Sequence, residues 1–132
     1  MPTLLATARQ LVYGPAAQAP RRALFLLLIA VISWLALTPH PPRELSTGWD
    51  KSNHLLAFGA LMLSSRLAWP RRRWTLLLAL FAYGGLIEIL QTFVPGRDGE
   101  WPDLLADSLG LALGLLLDAL LRRSPLAPRN SG

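Results

Sequence analysis

The chain has 132 residues, a length that suits one domain, and 52% of them are hydrophobic. Its mean hydropathy of +0.37 is high for a soluble domain. The absence of cysteine excludes disulfide bonds, thiolate metal sites and cysteine nucleophiles. A net charge of +5 could indicate nucleic-acid binding, but the positions of the charges, described below, argue against that class.

Four apolar segments follow one another along the chain, and we predict that each is a membrane-spanning helix. They are residues 23–38, 54–69, 74–94 and 104–121. A bilayer core takes about 20 apolar residues, so the last two segments fit and the first two are short. Flanking tryptophans and snorkelling side chains of Arg22 and Arg66 would extend the short segments. The predicted fold is an all-α, polytopic four-transmembrane-helix bundle, because a soluble bundle needs polar outer faces that the first three segments lack.

The two ends of the chain are predicted to lie outside these spans. We expect residues 1–22 to form a cytoplasmic or interfacial segment and residues 122–132 to form a disordered cytoplasmic tail. A cleaved signal peptide is the alternative for the first segment. Arg21 and Arg22 would place its start unusually late, and no A-x-A cleavage site follows.

The basic residues indicate the orientation in the membrane. Ten of the thirteen fall on one predicted side: Arg9, Arg21, Arg22, Arg66, Arg71, Arg72, Arg73, Arg122, Arg123 and Arg129. Only Arg43, Lys51 and Arg97 fall on the other side. The positive-inside rule makes the first side cytoplasmic and predicts a multi-pass protein of the bacterial inner membrane with both termini inside. The excess of basic residues therefore indicates the orientation of the helices in the membrane, and no nucleic-acid partner is expected.

Polar residues recur at the predicted outer ends of the last three segments. Their spacings of three or four residues place them on common helix faces. A charge that faces lipid costs about 2.5–3.5 kcal/mol, so such residues are expected to turn inward and find partners. We predict one polar, ligand-binding cluster just below the outer surface. Its candidates are Asp50, Lys51, His54, Glu88, Gln91, Arg97, Asp103 and Asp107.

Several of these residues also have structural interpretations. Asp50 would complete a capping box with Thr47, and Asp103 would stabilise the start of a helix. Lys51, the only lysine, could lose its proton if desolvated, whereas an arginine could not; the alternative is a structural ion pair with Glu88. Asp118, near the cytoplasmic end, is interpreted as an ordinary interfacial residue.

Glycines at helical spacing predict close helix packing. Small residues four apart let two helices approach each other in a membrane. The candidates for this role are Gly59, Gly84, Gly110 and Gly114.

Two stretches, WDKSNHLLAFGAL and EILQTFVPGRDGEWPDLLADSLGLALG, together resemble the VanZ-like family of small membrane proteins. The resemblance covers roughly residues 30–120. The matching positions are Asp50, Lys51, His54, Phe58, Gly59, Glu88, Gln91, Pro95, Gly96, Arg97, Asp103, Gly110 and Gly114. The chain departs from the family pattern at Asp107, where the family usually has asparagine.

The resemblance implies action on the outer face of the cell envelope, because the family is named for a protein associated with teicoplanin resistance. It supplies no reaction. The residues leave four functions open: binding of an anionic lipid or cell-wall-precursor headgroup, acid/base catalysis on such a headgroup by Glu88, His54 and Lys51, ion-coupled transport, and a structural role in an assembly. The sequence has no H-E-x-x-H motif and only two histidines, so we expect neither a metal site nor a cofactor.

Overall fold

A computed structural model describes residues 1–127 as a set of helices joined by short turns. The helices are α1 Leu4–Tyr13, α2 Gln18–Leu37, α3 Asp50–Ala68, α4 Arg73–Gln91 and α5 Trp101–Arg123. Short 3-10 turns occur at Pro15–Ala17 and Arg43–Leu45. The prediction of an all-α fold is thus confirmed for the part of the chain that the structure describes.

The four long helices overlap the four predicted apolar segments but differ from them at the ends. α2 and α3 begin five and four residues before the predicted spans 23–38 and 54–69, and α4 ends at Gln91 where the prediction extended to residue 94. Arg122 and Arg123, which were assigned to the tail, belong to the last turn of α5. Residues 124–127 form a turn, and residues 128–132 of the predicted tail lie outside the described residues.

The surface of the helix bundle is apolar, while many polar side chains are buried. Leu26 and Trp34 on α2, Leu78 on α4, and Leu109 and Leu116 on α5 are all exposed. A soluble bundle would turn such residues inward. By length and hydropathy, three segments could cross a membrane: Pro15–Leu37, Arg73–Gln91 and Trp101–Arg123.

α3 does not meet the same hydropathy criterion, although it lies at the centre of the bundle. It packs most extensively against α5 and also contacts α2 and α4. Its polar residues lower its hydropathy, but several of them, including His54, Ser65 and Arg66, are buried. The polar side of α3 therefore faces its neighbouring helices.

Glycines define the contact between α3 and α5. A Cβ atom added to Gly110 would lie 2.5 Å from the carbonyl oxygen of Leu55, and one added to Gly114 would lie 2.7 Å from that of Gly59. No side chain fits at these distances, so the two backbones meet directly. Phe58, Leu61, Met62, Leu80 and Leu111 form the buried apolar core around this contact.

The N-terminal helix α1 lies beside the end of α5 and buries no residue. The Arg9 guanidinium donates to the carbonyl oxygen of Pro125 at 2.6 Å. Arg21 of α2 donates to the carbonyl oxygens of Val12 and Gly14 at 2.6 and 3.1 Å. These bonds join the N-terminal segment to the end of the bundle at which α2 begins and α5 ends.

Candidate functional site

Seven polar side chains come together where α3 and α5 begin and α4 ends. We call this group the His54 cluster. Its members are Asp50, Lys51, His54, Glu88, Glu100, Asp103 and Asp107. Five carboxylates thus surround one lysine and one histidine. Six of the eight predicted ligand-binding residues meet here.

The His54 imidazole lies at the centre of the cluster, with carboxylates on both sides of the ring. Its Nδ1 atom is 2.7 Å from Asp107 Oδ1 and 3.7 Å from Glu88 Oε1. Its Nε2 atom is 3.7 Å from Asp50 Oδ2 and 3.8 Å from Asp103 Oδ2. The ligand atoms in each of two groups, His54–Glu88–Asp107 and Asp50–His54–Asp103, lie within 4.8 Å of one another, near enough to share one ion.

Lys51 pairs with the start of α5 and not with Glu88. Its Nζ atom is 3.3 Å from Asp103 Oδ1 and 3.4 Å from Glu100 Oε2. Lys51 precedes the predicted span 54–69, and the hydrogen bond to Asp103 raises the pKa of its ammonium group above the ordinary value. Lys51 is therefore a fixed cation at neutral pH, and the predicted ion pair between Lys51 and Glu88 is replaced by pairs with α5.

Glu88 instead takes its hydrogen bond from the loop that leads into α5. Its Oε2 atom accepts from the backbone N–H of Glu100 at 3.0 Å. Gly99 makes this possible, because a Cβ atom there would lie 2.2 Å from the carbonyl oxygen of Glu88. Glu100 was not among the predicted site residues, and its place in the cluster depends on this loop.

Two buried carboxylate oxygens in the cluster have no hydrogen-bond partner: Glu88 Oε1 and Asp107 Oδ2. Asp107 is fully buried, and Glu88 is 8% exposed. Gly84 leaves room for the Asp107 side chain, since a Cβ atom on Gly84 would lie 2.8 Å from Asp107 Oδ2. The site therefore has acceptor oxygens whose hydrogen-bonding capacity its own residues do not meet.

Gln91 and Arg97 lie next to the His54 cluster but bind the end of α2. Gln91 Nε2 donates to the carbonyl oxygen of Ala36 at 3.0 Å. Arg97 donates from Nε to the carbonyl oxygen of Thr38 at 3.1 Å and from Nη2 to that of Leu35 at 2.6 Å. These carbonyl groups have no intrahelical partner, so the two side chains cap α2.

The predicted capping box of Thr47 and Asp50 does not form. Trp49 occupies the N-cap position of α3 without a side-chain hydrogen bond. Thr47 binds Asn53 instead, through its backbone N–H and its hydroxyl group, each 2.8 Å from Asn53 Oδ1. Asn53, which was not predicted as a site residue, thereby holds the loop before α3 in place.

A cavity of about 560 Å³ opens beside the cluster between α2 and α3. One end is polar, with Asp50, Asn53, His54, Gln91 and Arg97 in its wall. The other end is apolar and is formed mainly by side chains of α2 and α3. These are Leu28, Ile32, Leu56, Ala57 and Ala60. Leu56 and Ala60 are exposed, so the apolar end reaches the outer surface of the bundle.

A second polar group lies at the opposite end of the α3–α5 contact, and we call it the Arg66 cluster: Arg66, Asp118 and Arg122. Arg66 Nε is 2.9 Å from Asp118 Oδ2, and Arg122 Nε is 3.1 and 3.0 Å from the two Asp118 oxygens. Asp118 and Arg66 are 2% and 3% exposed. The interpretations of Asp118 as an ordinary interfacial residue and of Arg66 as a snorkelling residue were therefore wrong.

The spacing of Asp118 and Arg122, four residues apart on one helix, could have indicated their pairing. The pairing of Arg66 with Asp118 joins residues 52 positions apart and depends on how α3 meets α5.

Helices with apolar outer surfaces, three of them suited to cross a bilayer, and polar side chains buried between the helices define a multi-pass membrane protein. The profile of the VanZ/LLP1 family matches residues 19–122, which is most of the chain. The chain belongs to this family, and the resemblance is confirmed. No curated protein and no solved structure matches the chain.

Proposed function

We propose that the protein binds a membrane lipid or a lipid-linked cell-wall precursor in the cavity between α2 and α3. The observation that carries this proposal is the graded lining of the cavity, which is polar at the His54 end and apolar toward Ala60. An amphiphile would place its headgroup at the first end and its acyl chain along the second. Because Leu56 and Ala60 are exposed, a lipid could enter from the bilayer.

The polar lining favours a headgroup that carries phosphate. Arg97 uses two of its N–H groups to cap α2, and its remaining donors are available to an anionic oxygen. Asp50 and Asn53, in the same wall, suit hydroxyl or amine groups of the headgroup. The proposed ligand is therefore an anionic headgroup with additional donor groups.

The proposal includes the orientation of the bundle. The distribution of arginines supports cytoplasmic termini and a His54 cluster on the outer side of a bacterial inner membrane. The part of α3 from His54 to Ala68 would be about 22 Å long and could form a short fourth span. Its polar side would be covered by α5 and its neighbours.

Orientation can be tested cleanly because the chain has no cysteine. Single cysteines would replace the exposed Glu44 and Pro70, which lie at opposite ends of α3. A membrane-impermeant maleimide applied to intact cells should label Glu44→Cys and leave Pro70→Cys unlabelled until the cells are opened. Labelling of Pro70→Cys alone in intact cells would reverse the orientation, and labelling of both or neither would contradict a fourth span.

Lipid binding can be tested by native mass spectrometry and lipidomics of the gently solubilised protein. Ala60→Trp should fill the apolar end of the cavity and remove a specific bound lipid. Ala82→Trp places the same side chain on the exposed side of α4 and should leave the lipid bound. The same bulk lipids on the wild type and on both variants would overturn the proposal.

A second candidate function is acid/base chemistry on the bound headgroup. It is favoured by the 2.7 Å contact between His54 Nδ1 and Asp107 Oδ1, which resembles the contact that orients a histidine base. Wild-type protein incubated with the identified lipid should then change the headgroup, and His54→Gln should bind the lipid without changing it. An unaltered headgroup with the wild type would leave binding as the function.

Family membership also motivates a link to glycopeptide resistance. Expression in a teicoplanin-susceptible host should raise the inhibitory concentration if the bound ligand is a cell-wall precursor. Ala60→Trp should abolish the increase and Ala82→Trp should keep it. An unchanged inhibitory concentration with the wild type would remove the resistance role while leaving lipid binding to its own test.

A further inference from the structure

We infer that His54, Glu88 and Asp107 form a binding site for a divalent transition-metal cation. The ligand atoms would be His54 Nδ1, Glu88 Oε1 and an oxygen of Asp107. The inference does not depend on lipid binding. It departs from the expectation of no metal site, which rested on the small number of histidines.

The distances between the three side chains suit a metal ion. His54 Nδ1 is 2.7 Å from Asp107 Oδ1 and 3.7 Å from Glu88 Oε1. A metal with ligand bonds of about 2.0–2.2 Å holds neighbouring ligand atoms about 3–3.5 Å apart. These two distances lie on either side of this range, and all three ligand atoms lie within 4.8 Å of one another, so small side-chain shifts would complete the coordination.

The partnerless oxygens are an independent indication that a ligand is bound here. Glu88 Oε1 and Asp107 Oδ2 are buried without a hydrogen-bond partner, and the Asp107 side chain is completely shielded. A buried carboxylate oxygen without a partner is costly, and native proteins rarely contain one. A cation between His54 and the two carboxylates would give Glu88 Oε1 a partner, and it would give one to Asp107 Oδ2 as well if both Asp107 oxygens coordinate it.

Surrounding residues hold the ligand atoms in place. The Glu100 N–H binds Glu88 Oε2 and leaves Oε1 directed toward the imidazole. His54 Nε2 faces Asp50 and Asp103 at 3.7 and 3.8 Å, where one water could complete the link. A carboxylate behind a metal-binding imidazole is the usual outer partner, because it fixes the ring orientation and raises its basicity.

Charge and access also favour a cation. The five carboxylates of the His54 cluster are opposed only by Lys51 and His54 among the described residues. Lys51 binds Asp103 and Glu100 and makes no contact with Glu88 or Asp107. His54 lines the cavity, which provides an entry path. One imidazole with two carboxylates suits Zn²⁺ or Mn²⁺ better than Ca²⁺, which takes six to eight oxygen ligands.

The test is calorimetric titration of Zn²⁺ and Mn²⁺ into the purified, chelator-treated full chain in detergent. We expect saturable binding of one ion per chain. Asp107→Asn and Glu88→Gln keep side-chain size, and each should weaken affinity by at least the about 10–100-fold that loss of an outer partner of a metal ligand costs. Two matched controls should keep wild-type affinity: His40→Gln changes the other histidine, and Asp98→Asn changes an exposed carboxylate outside the cluster.

Thermal unfolding of each variant without metal verifies that it is folded, and the shift caused by Zn²⁺ provides a second readout. The shift should be present in the wild type and absent in Asp107→Asn. Wild-type affinity in both Asp107→Asn and Glu88→Gln, or no saturable binding by the wild type, would overturn the inference. Ala60→Trp should bind metal normally, so failure of the metal site and failure of the lipid proposal are distinguishable.

Discussion

The His54 and Arg66 clusters lie at opposite ends of the same helix pair and differ in charge balance and in hydrogen bonding. In the Arg66 cluster, two guanidinium groups share one carboxylate, and both oxygens of Asp118 are bound. Arg66 also donates to the carbonyl oxygen of Pro70 at 2.5 Å. In the His54 cluster, carboxylates outnumber basic groups, and two buried oxygens, on Glu88 and Asp107, lack partners.

This difference is the one we expect between a structural ion pair and the binding site that we propose. A buried charge whose hydrogen bonds are all made fixes how two helices meet, and Asp118 has no oxygen left for a ligand. A buried cluster with excess charge, partnerless oxygens and a cavity in its wall has that capacity. The apolar core of Phe58, Leu61, Met62 and Leu111 lies between the clusters and separates them.

The largest expected effect is the loss of Asp118. Asp118→Ala leaves Arg66 buried and without its partner, which should lower the free energy of unfolding by about 3–5 kcal/mol. Unfolding in detergent by heat or denaturant measures this change. The double variant Arg66→Met/Asp118→Leu removes both charges and should lose much less. Equal losses in the two variants would contradict a structural ion pair.

A smaller effect is expected from neighbouring glycines on α4. Gly84→Ala places a methyl group 2.8 Å from Asp107 Oδ2 and should cost about 1–3 kcal/mol, because the buried side chain has little room to move. Gly85→Ala meets nothing within 4 Å and should be neutral or stabilising by about 1 kcal/mol. The same unfolding measurement compares the pair. Equal effects would show that Gly84 does not make room for Asp107.

Neutralising a carboxylate in the His54 cluster should not lower the free energy of unfolding as the loss of Asp118 does. In metal-free protein, Glu88→Gln removes one negative charge from a crowded group, so stability should stay within about 1 kcal/mol of wild type or increase. Thermal unfolding after chelator treatment measures this change in stability. A loss as large as that of Asp118→Ala would place the two clusters in the same structural class.

The smallest effect is expected at Lys51. Its pKa is raised by Asp103, so its stabilising charge is complete below the ordinary lysine pKa and is lost only as pH rises through the still higher folded value. Lys51→Arg should therefore leave stability and lipid binding unchanged from pH 6 to 9, whereas Lys51→Gln should weaken both slightly. Unfolding midpoints and lipid mass spectra across this range measure the effect. A loss in Lys51→Arg as large as that in Lys51→Gln would contradict a role for the positive charge alone.

Much of the fold was predictable because the membrane imposes simple constraints. Apolar segments of sufficient length become helices, and a lipid-facing charge is costly enough that Glu88 and Asp107 had to turn inward. The G-x-x-x-G spacing of Gly110 and Gly114 marked the face of α5 that meets α3. Each of these conclusions depends on residues within one helix, where spacing determines which side chains share a face.

The partner of each polar side chain was decided only by the tertiary structure. Arg97 could be assigned to the carboxylates as readily as to the carbonyl groups of α2, and Lys51 to Glu88 as readily as to Asp103, because charge alone does not distinguish them. Asp118 was interpreted as ordinary because nothing near it in the sequence shows that Arg66 lies across the helix contact. The sequence by itself determined which residues face away from the lipid. The approach of α3 to α5 determined which of them meet, since contacts between distant positions depend on how the helices pack.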